Sequence, residues 1–387
     1  MELEAWHLLV LPLFFALGWA AARVDIRHLL RESRAVPASY FQGLNYLLNE
    51  QPDRAIEAFV EVAKVNADTL ELHYALGALF RKRGEIDRAI RMHQNLVDRA
   101  DLNQEQNLRA LYELGLDYMK AGLLDRAEDI FKRLQAGAHG LDAKRNLLEI
   151  YVLEKEWEQA IAMAEELERT GLPAQNAETA HYYCELALNA GLRQDAAAAR
   201  DHLQAALAKH RKSVRAAMQL GDLEAAAGND MAAIEAWRQV EAQNPAYLPV
   251  VASRLFQAYK RSGRADDGLN LLQAYLERHP SADLFHIVFG ILVESRGWSE
   301  ARAVAAEALK RMPSLRVLDD YLQARSAESE PGDLETRLAQ DLVHRQVGRT
   351  MHYQCGRCGF KARQFFWQCP ACAAWDSIPP ERIEHEH

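Results

Sequence analysis

Four cysteines near the C-terminus carry the clearest chemistry in this sequence of 387 residues. They form two C-x2-C pairs separated by ten residues, and they are Cys355, Cys358, Cys369 and Cys372. Two residues between paired cysteines allow both thiolates to reach one ion. The pattern therefore predicts a tetrahedral four-cysteine metal site, and such a sulfur set suits both zinc and iron.

The residues around these cysteines fit a small module that folds around its metal. Gly356 and Gly359 lie in the first pair, where small residues let backbone amides turn toward sulfur. Metal binding supplies folding free energy to modules that are too small for a core of their own. We place this metal domain at residues 350–387. Four aromatic residues are predicted to cover the ion: Phe360, Phe366, Trp367 and Trp375.

The identity of the metal follows from resemblance rather than from the ligand set. With Pro370 after the third cysteine, the segment resembles a rubredoxin-type site, which implies iron. The interval between the pairs is much shorter than in free-standing rubredoxins. The segment is also similar to the short zinc ribbon of some bacterial DNA-repair ATPases, so zinc is the alternative. A structural role for the ion is favoured over electron transfer, because nothing in the sequence indicates a redox partner.

No other part of the sequence indicates catalysis. Cys184 stands apart from the four cysteines and is interpreted as a buried thiol. The sequence has no Walker loop, no G-x-S-x-G and no H-E-x-x-H motif. The protein is therefore predicted not to be an enzyme. Its histidines are scattered rather than paired at metal spacing, for example His73, His93, His181, His202 and His286.

The body of the chain repeats with a period near 34 residues, which is typical of tetratricopeptide repeats. Each repeat is a helical hairpin that buries its apolar face only against its neighbours. Four glycines are predicted to lie at the turns between paired helices, where a left-handed conformation ends the first helix: Gly84, Gly122, Gly228 and Gly263. We predict about eight repeats over residues 37–325, followed by a linker and a helix over residues 326–349. The fold class is therefore an all-α tetratricopeptide-repeat superhelix with a small C-terminal domain. The pattern is carried by small and aromatic residues at matching offsets, such as Gly43, Tyr46, Ala55 and Phe59, then Gly115, Tyr118, Ala127 and Phe131.

The N-terminal 22 residues are predicted to form a transmembrane anchor. The stretch from Ala5 to Ala22 lacks Asp, Glu, Lys and Arg, and its length is close to the minimum for a helical span. A cleaved signal peptide and a buried core helix are the alternatives, but a signal peptide would carry basic rather than acidic residues at its start. Residues 23–36 form a basic juxtamembrane segment. By the positive-inside rule the N-terminus is periplasmic, and the bulk of the chain lies on the cytoplasmic side.

The charge balance argues against nucleic acid as a partner. The formal net charge is -9 at pH 7, whereas phosphate backbones require clustered Lys and Arg in excess. Paired cysteines without a spread disulfide framework agree with a reducing compartment.

An anchor, a repeat array and a terminal four-cysteine module occur here in that order, and together they resemble the family of lipopolysaccharide assembly protein B of Gram-negative bacteria. The resemblance implies a single-pass inner-membrane adaptor that regulates lipopolysaccharide synthesis. It implies that the adaptor promotes proteolysis of the committed-step lipid A deacetylase by a membrane-bound ATP-dependent protease. Further implied partners are a lipopolysaccharide-sensing inner-membrane protein and other lipopolysaccharide assembly proteins. A general scaffold for envelope assembly and a rubredoxin-like electron-transfer component are the alternatives.

Overall fold

The computed structural model describes residue 19 and residues 38–49, 51–65, 70–328, 334–350 and 352–383. These residues form helices joined by short turns, followed by one small β-hairpin, and they confirm the all-α prediction. The helices are α1 (Ala38–Leu48), α2 (Pro52–Val65), α3 (Leu70–Arg83), α4 (Ile86–Val97), α5 (Gln104–Lys120), α6 (Leu124–Leu134), α7 (Gly140–Leu153), α8 (Trp157–Arg169), α9 (Asn176–Leu192), α10 (Ala196–Lys209), α11 (Val214–Ala226), α12 (Asp230–Gln243), α13 (Leu248–Arg261), α14 (Ala265–Arg278), α15 (Ala282–Arg296), α16 (Trp298–Arg311), α17 (Leu315–Glu328) and α18 (Leu334–Thr350). A 3-10 turn, Pro245–Tyr247, precedes α13, and the two strands are β1 (Tyr353–Gln354) and β2 (Lys361–Ala362).

The predicted membrane anchor at residues 1–22 lies outside the described residues, apart from Trp19. Among the helices that the structure describes, none combines the length and the apolar character needed to cross a bilayer. The chain divides into two compact units, Met1–Ile150 and Tyr151–His387.

The same type of turn joins the two helices in several of the hairpins. Four turns place a glycine in the left-handed region, with φ between +73° and +84°. In each of them the next amide donates to the carbonyl five residues earlier, at 2.9 Å. This pattern satisfies a carbonyl that the end of the helix leaves without a partner. The four glycines are those predicted for the turns: Gly84, Gly122, Gly228 and Gly263.

Two further turns use the same geometry without glycine. Lys155 and Gln194 have φ of +60° and +62°, and the amides of the residues that follow them make the same type of bond. A side chain in this region costs free energy, so packing of the adjoining helices fixes these turns rather than the local sequence.

Glycines within the first helix of a hairpin allow close contact with a large side chain of the second. A Cβ atom at Gly43 would lie 2.6 Å from the Phe59 ring, and one at Gly221 would lie 2.4 Å from Trp237 Nε1. The Trp237 indole N–H donates to the carbonyl of Met218 at 3.2 Å, which fixes the ring in this position. The repeated small and aromatic residues therefore correspond to direct contacts between the two helices of a hairpin.

Substitution of glycine by alanine should have opposite effects on stability at two positions of the second unit, because only one of the two glycines contacts a large side chain. Gly221→Ala should lower the free energy of unfolding by about 1–3 kcal/mol, because the added methyl group overlaps the Trp237 ring. Gly290→Ala, within α15, places its methyl group more than 4 Å from any atom of the described residues, and it should raise the free energy of unfolding by up to about 1 kcal/mol through lower chain entropy. Urea unfolding of both variants measures the difference. A Gly221→Ala variant as stable as the wild type would contradict the proposed packing.

Candidate metal centre

The four cysteines lie on two short loops of the C-terminal module. The first loop, here the first knuckle (residues 355–360), connects the antiparallel strands β1 and β2, which pair Tyr353 with Ala362 and Gln354 with Lys361. The second knuckle (residues 369–374) lies within a tighter hairpin, in which the Asp376 amide donates to the Trp367 carbonyl at 3.0 Å. We call residues 367–376 the second-knuckle hairpin.

The two knuckles have the same hydrogen-bond pattern. In the first, the Cys355 amide donates to the Phe360 carbonyl at 2.9 Å, and the Gly359 amide donates back to the Cys355 carbonyl at 2.9 Å. In the second, Cys369, Ala374 and Ala373 repeat these two bonds at 2.9 and 2.8 Å. The fifth residue of each knuckle is left-handed, with φ of +76° at Gly359 and +54° at Ala373. The two knuckles therefore share one loop geometry, which places Ala373 in a strained backbone conformation.

The sulfur positions fit a single tetrahedral ion. All four Sγ atoms lie within 4.8 Å of one another. Cys355 and Cys372 are 3.8 Å apart, and Cys358 and Cys369 are 3.7 Å apart. A tetrahedron with metal–sulfur bonds of about 2.3 Å has edges of about 3.8 Å. The structure thus brings together all four predicted ligands in a geometry suited to a cysteine-bound metal.

The surroundings of the cluster favour a thiolate at Cys355. Cys355 is buried, and its Sγ lies 3.4 Å from Ser377 Oγ. The hydrogen bond with Ser377 lowers the pKa of Cys355 to about 6. A thiolate is the form that binds metal, so a lowered pKa favours metal binding at this ligand.

Cys184 has no part in this cluster. It is fully buried in α9, and burial raises the pKa of its thiol to about 12. A thiol that stays protonated is a poor nucleophile and a poor ligand. This agrees with its interpretation as a core residue.

Only part of the predicted aromatic cover lies over the cysteines. Phe360 and Phe366 pack against the buried cysteines, and so does Phe365, which the sequence interpretation omitted. The prediction was wrong for Trp367 and Trp375, because neither packs against the buried cysteines and both rings contact the repeats instead. Together with Asp376, they occupy the two ends of the second-knuckle hairpin.

Trp375 packs on α9. Its ring stacks on the His181 ring, with centroids 4.6 Å apart and planes inclined by 9°. It also meets the edges of the Trp157 and Tyr182 rings, at 6.4 Å each. Beside this stack, Asp376 Oδ2 lies 2.8 Å from His181 Nε2. One histidine of the repeats therefore makes both a ring contact and a polar contact with the module.

Trp367 packs on the 3-10 turn before α13. Its ring stacks on Tyr247, with centroids 5.2 Å apart and planes inclined by 4°. The Arg215 guanidinium lies between the two tryptophans, with its Cζ 6.0 Å from the Trp367 centroid and 5.4 Å from that of Trp375. Cations are attracted to the faces of such rings, so Arg215 links both contacts.

A third contact lies at the far end of the module. The Arg382 amide donates to Asp283 of α15 at 3.2 Å, and the Arg382 side chain lies 3.4 Å from the same carboxylate. The module is therefore held on α9, the 3-10 turn and α15. Sequence reasoning did not identify these positions as functional, since they are separated by between 99 and 195 residues. The sequence did contain one indication of these contacts. The module carries two tryptophans in addition to the few residues that are needed to cover one ion.

Comparisons with known proteins agree with this arrangement. A rubredoxin metal binding domain matches residues 353–380, and a tetratricopeptide repeat model matches residues 40–101 and 74–142. The fold and the four-cysteine centre thus define a tetratricopeptide-repeat protein with a rubredoxin-type metal domain, as predicted. Lipopolysaccharide assembly protein B of Escherichia coli K12 is 36% identical over 379 residues, which covers 97% of each chain. The protein of that name from Haemophilus influenzae is 30% identical and covers 96% of this chain and 97% of its own. The chain belongs to the lipopolysaccharide assembly protein B family, which confirms the resemblance.

Removal of one cysteine should distinguish ligands from the remaining thiol. We expect Cys355→Ala and Cys369→Ala to lose the metal, because three thiolates leave a tetrahedral site incomplete. Cys184→Ala is the matched control and should keep full metal content, since Cys184 lies outside the cluster. Mass spectrometry of the metal content of purified protein measures both. Full occupancy in Cys355→Ala would contradict the site.

The docking contacts predict that metal loss disturbs the repeats. Two stacked aromatic pairs are worth about 1–3 kcal/mol beyond their buried area, so their loss should speed amide exchange on the order of tenfold in α9. Hydrogen exchange before and after chelation measures this change, with α5 and α6 of the other unit as the internal reference. Exchange in α9 that stays the same after complete removal of the metal would contradict the coupling.

Proposed function

We propose that this protein is a non-catalytic adaptor at the inner membrane that regulates lipopolysaccharide synthesis. It presents the committed-step deacetylase of lipid A synthesis to a membrane-bound ATP-dependent protease and so promotes degradation of the deacetylase. It is regulated by a lipopolysaccharide-sensing inner-membrane protein and interacts with other lipopolysaccharide assembly proteins. Support comes from family membership and from the class of fold, since repeat arrays of this type bind peptides and proteins.

One structural observation supports a binding role for the metal module. The two tryptophans of the module hold it on the repeats by stacking on His181 and Tyr247. A module held in this way presents its outer surface together with the adjoining helices as one face. The metal then acts by fixing the shape of that face, with Cys355, Cys358, Cys369 and Cys372 as its ligands.

We propose iron as the resident ion and zinc as the alternative. The rubredoxin description of the matching domain supports iron, whereas the sulfur geometry suits either metal. Protein purified from its native host should be coloured if it holds ferric iron, and colourless protein with one zinc per chain would contradict this assignment.

Tethering is the proposed mechanism. Residues 1–22 anchor the chain in the membrane, with the N-terminus periplasmic and the repeats (residues 37–325) and metal domain (residues 350–387) cytoplasmic. An adaptor in the same membrane as the protease meets it at a raised effective concentration, so each single contact need not be strong. The basic segment at residues 23–36 lies next to the anionic membrane surface.

The anchor can be tested by deletion and by replacement. Deletion of residues 1–22 should raise the cellular level of the deacetylase about tenfold or more, because the gain from tethering is of the order of 10²–10⁴. Replacing these residues with an unrelated single span should restore turnover, since only membrane attachment is required. Immunoblots of the deacetylase, with equal expression of each variant, measure the outcome. Unchanged deacetylase levels after deletion would refute the mechanism.

A further inference from the structure

A cavity of about 280 Å³ lies where the metal module meets the repeats. Its walls come from α9, the N-terminus of α11, the end of α12 and the second-knuckle hairpin. Among the described residues that line it, the basic side chains are His181, His210, Lys212 and Arg215, and Asp376 is the one carboxylate. Basic groups therefore outnumber acidic ones in a small polar space.

The helix α11 directs its N-terminus at this cavity. Ser213 caps the helix, and its hydroxyl accepts from the Ala216 amide at 3.4 Å. The amides of Val214 and Arg215 come before the first helical hydrogen bonds, and both residues line the cavity. The partial positive charge of a helix N-terminus and its free amides favour an anion.

Buried side chains give a second and independent indication. Arg215 is only 4% exposed, and its Nη2 donates to Glu185 at 2.6 Å. Its Nε and Nη1 are buried and have no hydrogen-bond partner in the part of the chain that the structure describes. His181 is 3% exposed, and its Nδ1 is likewise without a partner among these residues. The tryptophan faces offset part of the Arg215 charge but do not accept its hydrogen bonds in the plane of the guanidinium. Unpaired buried donors such as those of Arg215 are rare in folded proteins, and a ligand that accepts hydrogen bonds would satisfy them. When the His181 Nε2–H donates to Asp376, Nδ1 is an acceptor, which a hydroxyl group of the ligand would satisfy.

We propose that this cavity binds the phosphate group of a small water-soluble molecule that also carries hydroxyl groups, such as a sugar phosphate. Phosphate supplies several strong acceptors for Arg215, Lys212 and the α11 amides. The hydroxyl groups would serve Gln243, a lining residue whose buried Oε1 accepts from no donor among the described residues. The volume lies near the lower end of ligand pockets, about 300–1,000 Å³, which suits a molecule of this size.

The bound phosphate would connect the repeats with the metal module, because its walls belong to both. Asp376 and Trp367 come from the second-knuckle hairpin, whereas Lys212 and Arg215 come from the start of α11. The concentration of the phosphorylated molecule would thus affect how firmly the module is held on the repeats. This role is separate from the proposed adaptor function and does not depend on it.

Calorimetric titration of the full-length protein in detergent tests the site. Inorganic phosphate and glucose 1-phosphate should both bind at low ionic strength, the second more tightly. Lys212→Gln should weaken both by at least about threefold, because it removes a partly solvated cation from the lining. Arg211→Gln is the matched control, since Arg211 is exposed, adjacent in sequence and outside the lining. Absence of binding, or equal weakening by both substitutions, overturns the proposal.

A second variant separates binding from folding. Asp376→Asn removes the negative charge from the lining and keeps an acceptor for His181, so phosphate should bind about threefold tighter or better. Tighter binding supports the site, because damage to the fold could only weaken binding. Unchanged or weaker binding in a variant that keeps its full metal content overturns it. Vesicles containing phosphatidic acid serve as the third probe. Vesicle binding that Lys212→Gln abolishes, without binding of either soluble phosphate, overturns the small-molecule proposal in favour of a lipid headgroup.

Discussion

The metal module cannot bury enough apolar surface by itself, and this constraint determines how the C-terminal half of the chain is built. A domain of about thirty residues falls well below the size at which a hydrophobic core alone is sufficient. The metal organises the cysteines, and three phenylalanines fill the space beside them. The two tryptophans then take their partners from the repeats. Each ring adds apolar area that a metal and two knuckles cannot supply.

Arg215 shows what this docking costs. Its guanidinium is almost fully buried, and it forms an ion pair with Glu185 at 2.6 Å. A buried cation is expensive unless its partners compensate for the lost water. The faces of Trp367 and Trp375 provide part of this compensation, so the module and the arginine stabilise each other. The repeats alone would leave this charge without two of its neighbours.

The sequence predicted the parts of this structure whose determinants are local or periodic. The cysteine spacing identifies the knuckles, and the positions of Gly122 and Gly228 identify turns, because both depend on a few adjacent residues. The turns at Lys155 and Gln194 were not predicted, since tertiary packing rather than a glycine selects their conformation. The docking surface was missed for a similar reason. His181 and Asp376 are 195 residues apart, and a single sequence contains no period that relates them.

The wrong assignment of Trp367 and Trp375 has a physical explanation that also bears on function. Aromatic residues near a metal knuckle are equally suited to covering an ion and to packing on another domain, and composition alone does not separate the two. In the second-knuckle hairpin the turn carries Cys369 and Cys372, whereas the ends carry both tryptophans and Asp376. The turn and the ends are joined by short backbone bonds, from Asp376 to Trp367 and from Cys369 to Ala374. The geometry that the metal imposes on the turn is therefore transmitted directly to the residues that hold the repeats. In the proposed adaptor, an ion placed in this way would fix the shape of the binding surface, and that role requires no electron transfer.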